Sequence, residues 1–275
     1  MTNVIGLQHP IDPETRTEIE QRLAIIESEH NVRVLFACES GSRGWGFASP
    51  DSDYDVRFIY VHPLPWYLHV SKERDVIELP ISDVLDINGW ELRKALGLLK
   101  KGNATLIEWL DSPIVYRADT TFLDGIRAAA CKTYQPERSF HHYVHMARGN
   151  YRMYLRGDMV RLKKYLYVLR PLLATLWIEQ GRGIAPMRFQ DLVETIITDA
   201  DLLNAIDHLL AIKRNAMESE YGQPQPIINA FIDTELARLE AALPPTPANI
   251  DFSVLDRLLM NTVMPSYSAI TPQRG

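Results

Sequence analysis

The chain has 275 residues, 46% hydrophobic and 23% charged, which is the composition of an ordinary globular protein with room for two domains and excludes large-scale disorder. Its formal net charge of −6 argues against a generic nucleic-acid coat, and its two cysteines, Cys38 and Cys131, are too few and too far apart for a disulfide framework or a cysteine-rich zinc site. There is no basic-then-apolar leader, and the longest apolar segment, Tyr165 to Ile178, is interrupted by Arg170 and Pro171, so a soluble, cytoplasmic protein with no membrane partner is expected.

Residues 1–15 hold Pro10 and Pro13 and little periodicity, which predicts an irregular arm. Thr15 or Thr17 is the expected cap of a helix running from Glu18 to His30-Asn31, with Ile19, Leu23 and Ile26 at helical spacing. Val32 to Cys38 is short, β-branched and aromatic, the signature of a strand, stopped at Glu39-Ser40-Gly41. A second strand starts at Asp53, where Asp53, Asp55 and Arg57 alternate with Tyr54, Val56 and Phe58. Side chains alternate across a strand, so the two carboxylates share one face, roughly 6.5–7 Å apart. Like charges so placed repel unless a cation lies between them, and a hard divalent ion with oxygen ligands supplies one. Gly41-Ser42 can turn tightly and bring backbone N–H groups and the Ser42 hydroxyl to anionic oxygens. A metal beside a phosphate cradle implies a nucleoside triphosphate.

Other readings of this stretch fail position by position. As a calcium loop starting at Asp51, its sixth residue is Val56 instead of Gly and its twelfth His62 instead of Glu. As a dinucleotide turn, Gly44-x-Gly46-x-x-Ser49 is followed by Pro50 and three aspartates where a helix should run. A solvated acidic turn fits Asp51-Ser52-Asp53 alone, but not the Gly-Ser before it and the alternation after it.

Further on, Pro63 and Pro65 with Trp66 and Tyr67 mark a loop. Asp75–Pro80 and Val84–Asn88 read as strands, carrying Glu78 and Asp86; taken alone, Glu78 is a solvated strand end and Asp86 a helix cap. An amphipathic helix with Leu92, Leu96 and Leu99 on one side starts near Gly89 and ends around Lys101-Gly102-Asn103, and Thr105–Leu110 is a shorter one. Past Asp124-Gly125 strand-like runs cease, which places a domain boundary in 117–137. Helices are expected over Ser139–Leu155, Val160–Gln180, Leu192–Ile197, Leu202–Ser219, Pro226–Leu243 and Ser253–Val263, with a loose end from Pro265. The expected organisation is a domain of residues 1–125, a helical domain of 126–245, and a C-terminal helix and tail, 246–275.

Charge is unevenly spread: between Arg138 and Arg170 eight Lys or Arg face Asp158 alone, a local +7 that leaves −13 for the remainder. Arg148, Arg152 and Arg156 recur every fourth residue and so form one stripe of a helix, either a solvated basic face or a surface for nucleic acid or triphosphate. His141, His142 and His145 have a spacing that can share a metal, but without further zinc ligands nearby they fit better as lining of the basic surface or as a stacking platform for a base.

Gly41-Ser42, ten intervening residues and Asp53-Tyr54-Asp55-Val56 resemble the DNA polymerase β-type nucleotidyltransferase superfamily, whose pattern is Gly-[Gly/Ser], a spacer, then Asp-x-[Asp/Glu]. The longer match, Gly41 through Tyr60, with Leu162 through Pro171, is similar to bacterial predicted nucleotidyltransferases of the RlaP or YcgL type. The resemblance is densest in 34–60 and 84–116 and gives nothing after about 200. It implies an α+β nucleotidyltransferase fold, a short mixed β-sheet flanked by helices, followed by a C-terminal α-helical domain that completes the cleft.

The resemblance also implies roles. A third carboxylate comes from a neighbouring strand, and Asp86 is preferred over Glu78 because Leu85-Asp86-Ile87 sets it between apolar residues just before a helix, as in this family. Asp53, Asp55 and Asp86 would be catalytic and hold two Mg2+. Gly41, Ser42, Arg43, Lys164 in preference to Lys163, and Tyr165 would bind the nucleoside triphosphate, ATP. The reaction would transfer AMP to an acceptor hydroxyl, releasing pyrophosphate, with an RNA or tRNA end as acceptor and Arg148, Arg152 and Arg156 binding it. A protein acceptor, as in antitoxin-like relatives, or a small molecule is the alternative. A non-catalytic nucleotide-binding module is the reading of another class, and the intact Asp53, Asp55 and Asp86 argue against it.

Overall fold

The computed structural model describes residues 10–71, 73–81, 84–215, 221–242, 244 and 249–264; of the arm expected over residues 1–15, residues 1–9 lie outside them and 13–15 are already helical, and the loose end expected from 265 lies outside them too. These residues form two compact units, each discontinuous in sequence, one of residues 11–40, 53–134 and 249–264 and one of 41–52 and 135–244.

The first unit begins with α1 (Pro13–His30). Asp12 caps it, its carboxylate accepting from the Thr15 N–H at 2.9 Å, and Pro13 sits in the first turn, where a missing N–H costs no helix bond. The helix therefore starts well before Glu18, and neither threonine is its cap. Ile19, Leu23 and Ile26, on one face of α1, belong to the core with Val34, Ala37, Val56, Phe58, Tyr60, Ile77, Leu85 and Ile87. Those residues come from β1 (Arg33–Glu39), β2 (Tyr54–Val61), β3 (Val76–Glu78) and β4 (Leu85–Glu91). With β5 (Val115–Ala118) they make a mixed sheet in the order β3-β4-β2-β1-β5, in which β2 and β4 run parallel and the other pairs antiparallel.

β4 runs through Gly89, where a helix was expected to begin. Gly89 pairs with Phe58 across β2, and a Cβ on it would lie 2.2 Å from the Phe58 ring, so the position demands glycine for close packing inside the sheet. The helix α4 (Leu92–Lys100) starts only after Glu91, whose carboxylate accepts from the Lys94 N–H. Asn103 caps α5 (Ala104–Leu110) and Asp119 caps α6 (Thr120–Lys132). α6 fills most of 117–137 with a helix that buries Phe122, Leu123, Ile126, Ala129 and Ala130. The C-terminal helix α12 (Ser253–Val263) packs on α4 and α6. The short α3 (Leu64–Tyr67) lies in the proline loop.

The second unit contains α2 (Gly41–Gly44), α7 (Pro136–Tyr154), α8 (Lys164–Glu179), α9 (Phe189–Ile196), α10 (Ala200–Asn215) and α11 (Pro226–Glu240), with α7 lying along α8. Contrary to the expectation of a wholly helical domain, it also holds two short strands. β6 (Val160–Arg161) pairs antiparallel with β7 (Tyr221–Gly222), two residues on each side, too short for any periodicity to announce. Among the described residues no helix is long and apolar enough to cross a membrane.

Candidate active site

Strand β2 delivers Asp55 and β4 delivers Asp86, and the parallel register sets them directly opposite each other. Asp53, exposed, lies two residues earlier, just ahead of β2. Arg57, on the same face of β2, stands between the carboxylates: its Nη2 donates to Asp55 Oδ1 at 2.9 Å and to Asp86 Oδ2 at 2.7 Å, while Nη1 donates to the backbone carbonyls of Asp86 and Val56 at 2.9 and 3.1 Å. The alternation that puts Asp55 and Arg57 on one face of β2 thus also supplies a cation.

Of the two candidates for a third carboxylate, Asp86 is the one beside Asp55. Glu78 is on β3, on the other side of β4, where it accepts from Asn88 Nδ2 and Arg74 Nη2, both at 2.9 Å, and is about half exposed.

Behind Asp55 lies Glu39, the last residue of β1, fully buried. Its Oε1 accepts the Asp55 N–H at 2.9 Å and its Oε2 the Tyr116 hydroxyl at 2.5 Å. In the sequence Glu39 reads as no more than the end of a strand; the one signal of its role is a carboxylate joined to the wholly apolar Leu35-Phe36-Ala37-Cys38. Burial, with the neighbouring Glu39 second, pushes the Cys38 thiol far above its usual range, which makes it an inert core group.

Gly41 to Ser52 packs within the helical unit. Gly41 has a φ of 55°, the left-handed turn that favours glycine, and Ser42 and Arg43 are buried. Arg43 Nη2 donates to the Ser52 carbonyl at 2.7 Å, and Ser52 Oγ accepts the Ser49 N–H at 2.9 Å, so the residues just before Asp53 are pinned. Lys213, buried on α10, donates to Ser49 Oγ at 3.3 Å. Trp45 lies under the Arg170 guanidinium at 4.8 Å and edge-on to Tyr167, and its carbonyl accepts the Phe189 N–H.

Lys164 opens α8 with its ammonium over the rings of Tyr154 and Tyr167, at 4.4 and 4.7 Å. The Tyr165 hydroxyl donates to Asn229 Oδ1 and accepts the Gln225 N–H, bolting α8 to the start of α11, and burial raises its pKa. The expected arginine stripe is shorter than the spacing suggested. α7 ends at Tyr154 with Leu155 as its cap, so Arg156 lies past the helix, where it reaches Asp233 at 3.5 Å and covers the Tyr151 ring. Arg148 meets Glu240 at 3.3 Å, and Arg152 is exposed. His145 Nδ1 meets the His141 carbonyl at 2.6 Å, and their ring centroids are 6.4 Å apart. Among the described residues no group of three or more His, Cys, Asp or Glu converges on a common metal position. The chemistry of the Asp53, Asp55 and Asp86 set nevertheless fits a hard divalent cation: every donor is a carboxylate oxygen, and Asp55 and Asp86 keep about a third of their side-chain surface open to solvent.

Residues 15–261 match the RNA repair pathway DNA polymerase beta family, RlaP. The chain belongs to that family. It is also 46% identical over 250 residues to a Bacillus subtilis (strain 168) protein described as uncharacterized protein YcgL, spanning 90% of this chain and 96% of that protein. The crystal structure of a nucleotidyltransferase-like protein from Exiguobacterium sibiricum 255-15 aligns at a TM-score of 0.30 and 13% identity, over 91% of this chain and 79% of that one. As a member of the RlaP family the chain is a polymerase β-like nucleotidyltransferase, and its mixed sheet with flanking helices is the α+β fold that the Gly-Ser and Asp-x-Asp pattern implied.

Proposed function

We propose that this RlaP-family protein transfers AMP from ATP to a hydroxyl at an RNA end, releasing pyrophosphate. The observation that carries the reading is the in-register pairing of Asp55 with Asp86, with Asp53 two residues ahead of Asp55. Two Mg2+ held by these three carboxylates would stabilise the attacking and leaving oxygens of an in-line displacement. The acceptor oxygen bonds to the α-phosphorus as the bond to the pyrophosphate oxygen breaks, and the hydroxyl proton is released.

The rest of the chain supplies binding and shape. Gly41 and Ser42 cradle the β- and γ-phosphates, and Arg43, engaged with Ser52, keeps the turn in form. Lys164 neutralises the triphosphate, and Tyr165, through Asn229 and Gln225, holds the helix that presents it. Arg148, Arg152 and Arg156 receive the RNA backbone; Glu240 and Asp233 compete with it for two of them.

The test is incubation with Mg2+, each nucleoside triphosphate labelled at its α-phosphate, and either RNA or cell extract. Label entering RNA from ATP is the expected result. Label in a single protein band, or in neither, would sink the RNA reading, and transfer that survives Asp53→Ala and Asp55→Ala would sink the assignment of the metal-holding carboxylates.

A further inference from the structure

Glu39 is a carboxylate with no exposed surface in a strand whose other inward residues are apolar. Burying such a group costs heavily unless donors saturate it, and here the donors are specific. One oxygen takes the Asp55 N–H and the other the Tyr116 hydroxyl. The backbone of Glu39 is fixed as well: its N–H donates to the Ile114 carbonyl at 2.9 Å, and its carbonyl accepts the Ser112 hydroxyl at 2.6 Å. The ladder between β1 and β2 ends at the pair Glu39 and Val56, so Asp55 lies one residue beyond it. There the Glu39 side chain takes the Asp55 N–H, and the next residue, Ser40, donates its N–H to the Asp55 carbonyl at 2.8 Å. Both backbone groups of Asp55 are thus held by two consecutive residues at the end of β1.

We infer that Glu39 is a positioning residue of the active site, which holds Asp55 opposite Asp86 so that the pair can take a divalent cation. The role rests on the reading of Asp55 as a metal-holding carboxylate. Glu39 touches neither nucleotide nor acceptor; it acts through the Asp55 backbone, and Tyr116 acts through Glu39.

The test is calorimetric titration of the full chain with Mn2+ in the presence of a non-hydrolysable ATP analogue, with thermal melts of each variant. Glu39→Ala should weaken Mn2+ binding about 10-fold or more, the usual consequence of losing an outer-shell partner. Glu39→Gln keeps an oxygen for the Asp55 N–H and should stay within about threefold of the unaltered protein. Equal affinity in Glu39→Ala, or a loss in Glu39→Gln as large as in Glu39→Ala, overturns the inference. If Glu39→Ala does not fold, Tyr116→Phe carries the test: it removes the hydroxyl that restrains Oε2 and should weaken Mn2+ binding while the melt stays cooperative, and unchanged affinity overturns the inference. An unaltered protein that binds no Mn2+ brings down the metal-dependent reading itself, whereas one that binds it equally well with and without these side chains brings down the role of Glu39 alone.

Discussion

Arg57 and Asp86 are joined twice across neighbouring strands, Nη1 to the Asp86 carbonyl at 2.9 Å and Nη2 to its Oδ2 at 2.7 Å, and the same Nη2 reaches Asp55. One guanidinium therefore compensates two carboxylates that face each other. Arg57→Gln should destabilise the metal-free protein by about 1–2 kcal/mol, because an ion pair that is mostly shielded from water loses one partner. Mn2+ should then raise the melting temperature of the variant more than that of the unaltered protein. Equal Mn2+-induced shifts in the two melts would count against this account.

Asp86→Asn should reduce label transfer at least about 100-fold while leaving the melt within a few degrees, since it removes one of the carboxylates proposed to hold the metal on an otherwise intact strand. Glu78→Gln, on the far side of β4, should leave transfer within about threefold. Parallel transfer assays on the two variants decide between them.

Gly89→Ala should destabilise the sheet unit by about 1–3 kcal/mol, since the added methyl meets the Phe58 ring and overpacks the junction of β2 and β4. The readout is denaturant unfolding. Because Phe58 and Gly89 each lie three residues beyond Asp55 and Asp86, transfer should fall along with stability.

Burial holds the Glu91 carboxyl above the usual carboxylate range, against the hydrogen bonds from Tyr67 and the first turn of α4 that pull it down. A raised folded-state pKa means that this group favours the folded state most at low pH, below the ordinary Glu value. That contribution is lost as pH rises through Glu91's own, higher pKa. Glu91→Gln, neutral throughout, should remove this fall, so the difference in stability between variant and unaltered protein should move in favour of the variant between acid and neutral pH. Unfolding titrations across that range measure it; a pH-independent difference would rule it out.

Asp233→Asn with Glu240→Gln should tighten RNA binding, because Arg156 and Arg148 are then relieved of their acidic partners. Arg152→Ala should weaken it about equally for unrelated sequences and reduce the slope of log affinity against log salt by about 1. Filter binding at several salt concentrations gives both numbers.

The sequence by itself determined what depends on neighbours along the chain. A strand before the Gly-Ser turn, a strand after it, and Asp55 and Arg57 on one face follow from a period of two, with Asp53 one residue ahead of the strand it was expected to open, and the helical apolar spacing of Ile19, Leu23 and Ile26 is equally local. Even some local signals were outweighed by packing. β4 continues through Gly89 to Glu91 because Phe58 needs the space over Gly89, and α7 stops before Arg156 although the arginine spacing continues. Only the tertiary structure decided that Asp86, not Glu78, faces Asp55, that Arg57 binds both, and that Glu39 holds the Asp55 backbone. These relationships depend on strand order and register, which join residues about 30 positions apart, as in Arg57 to Asp86, or 77 apart, as in Glu39 to Tyr116. No periodicity within a single segment encodes them; they arise when burial of the shared core fixes which strand edges meet.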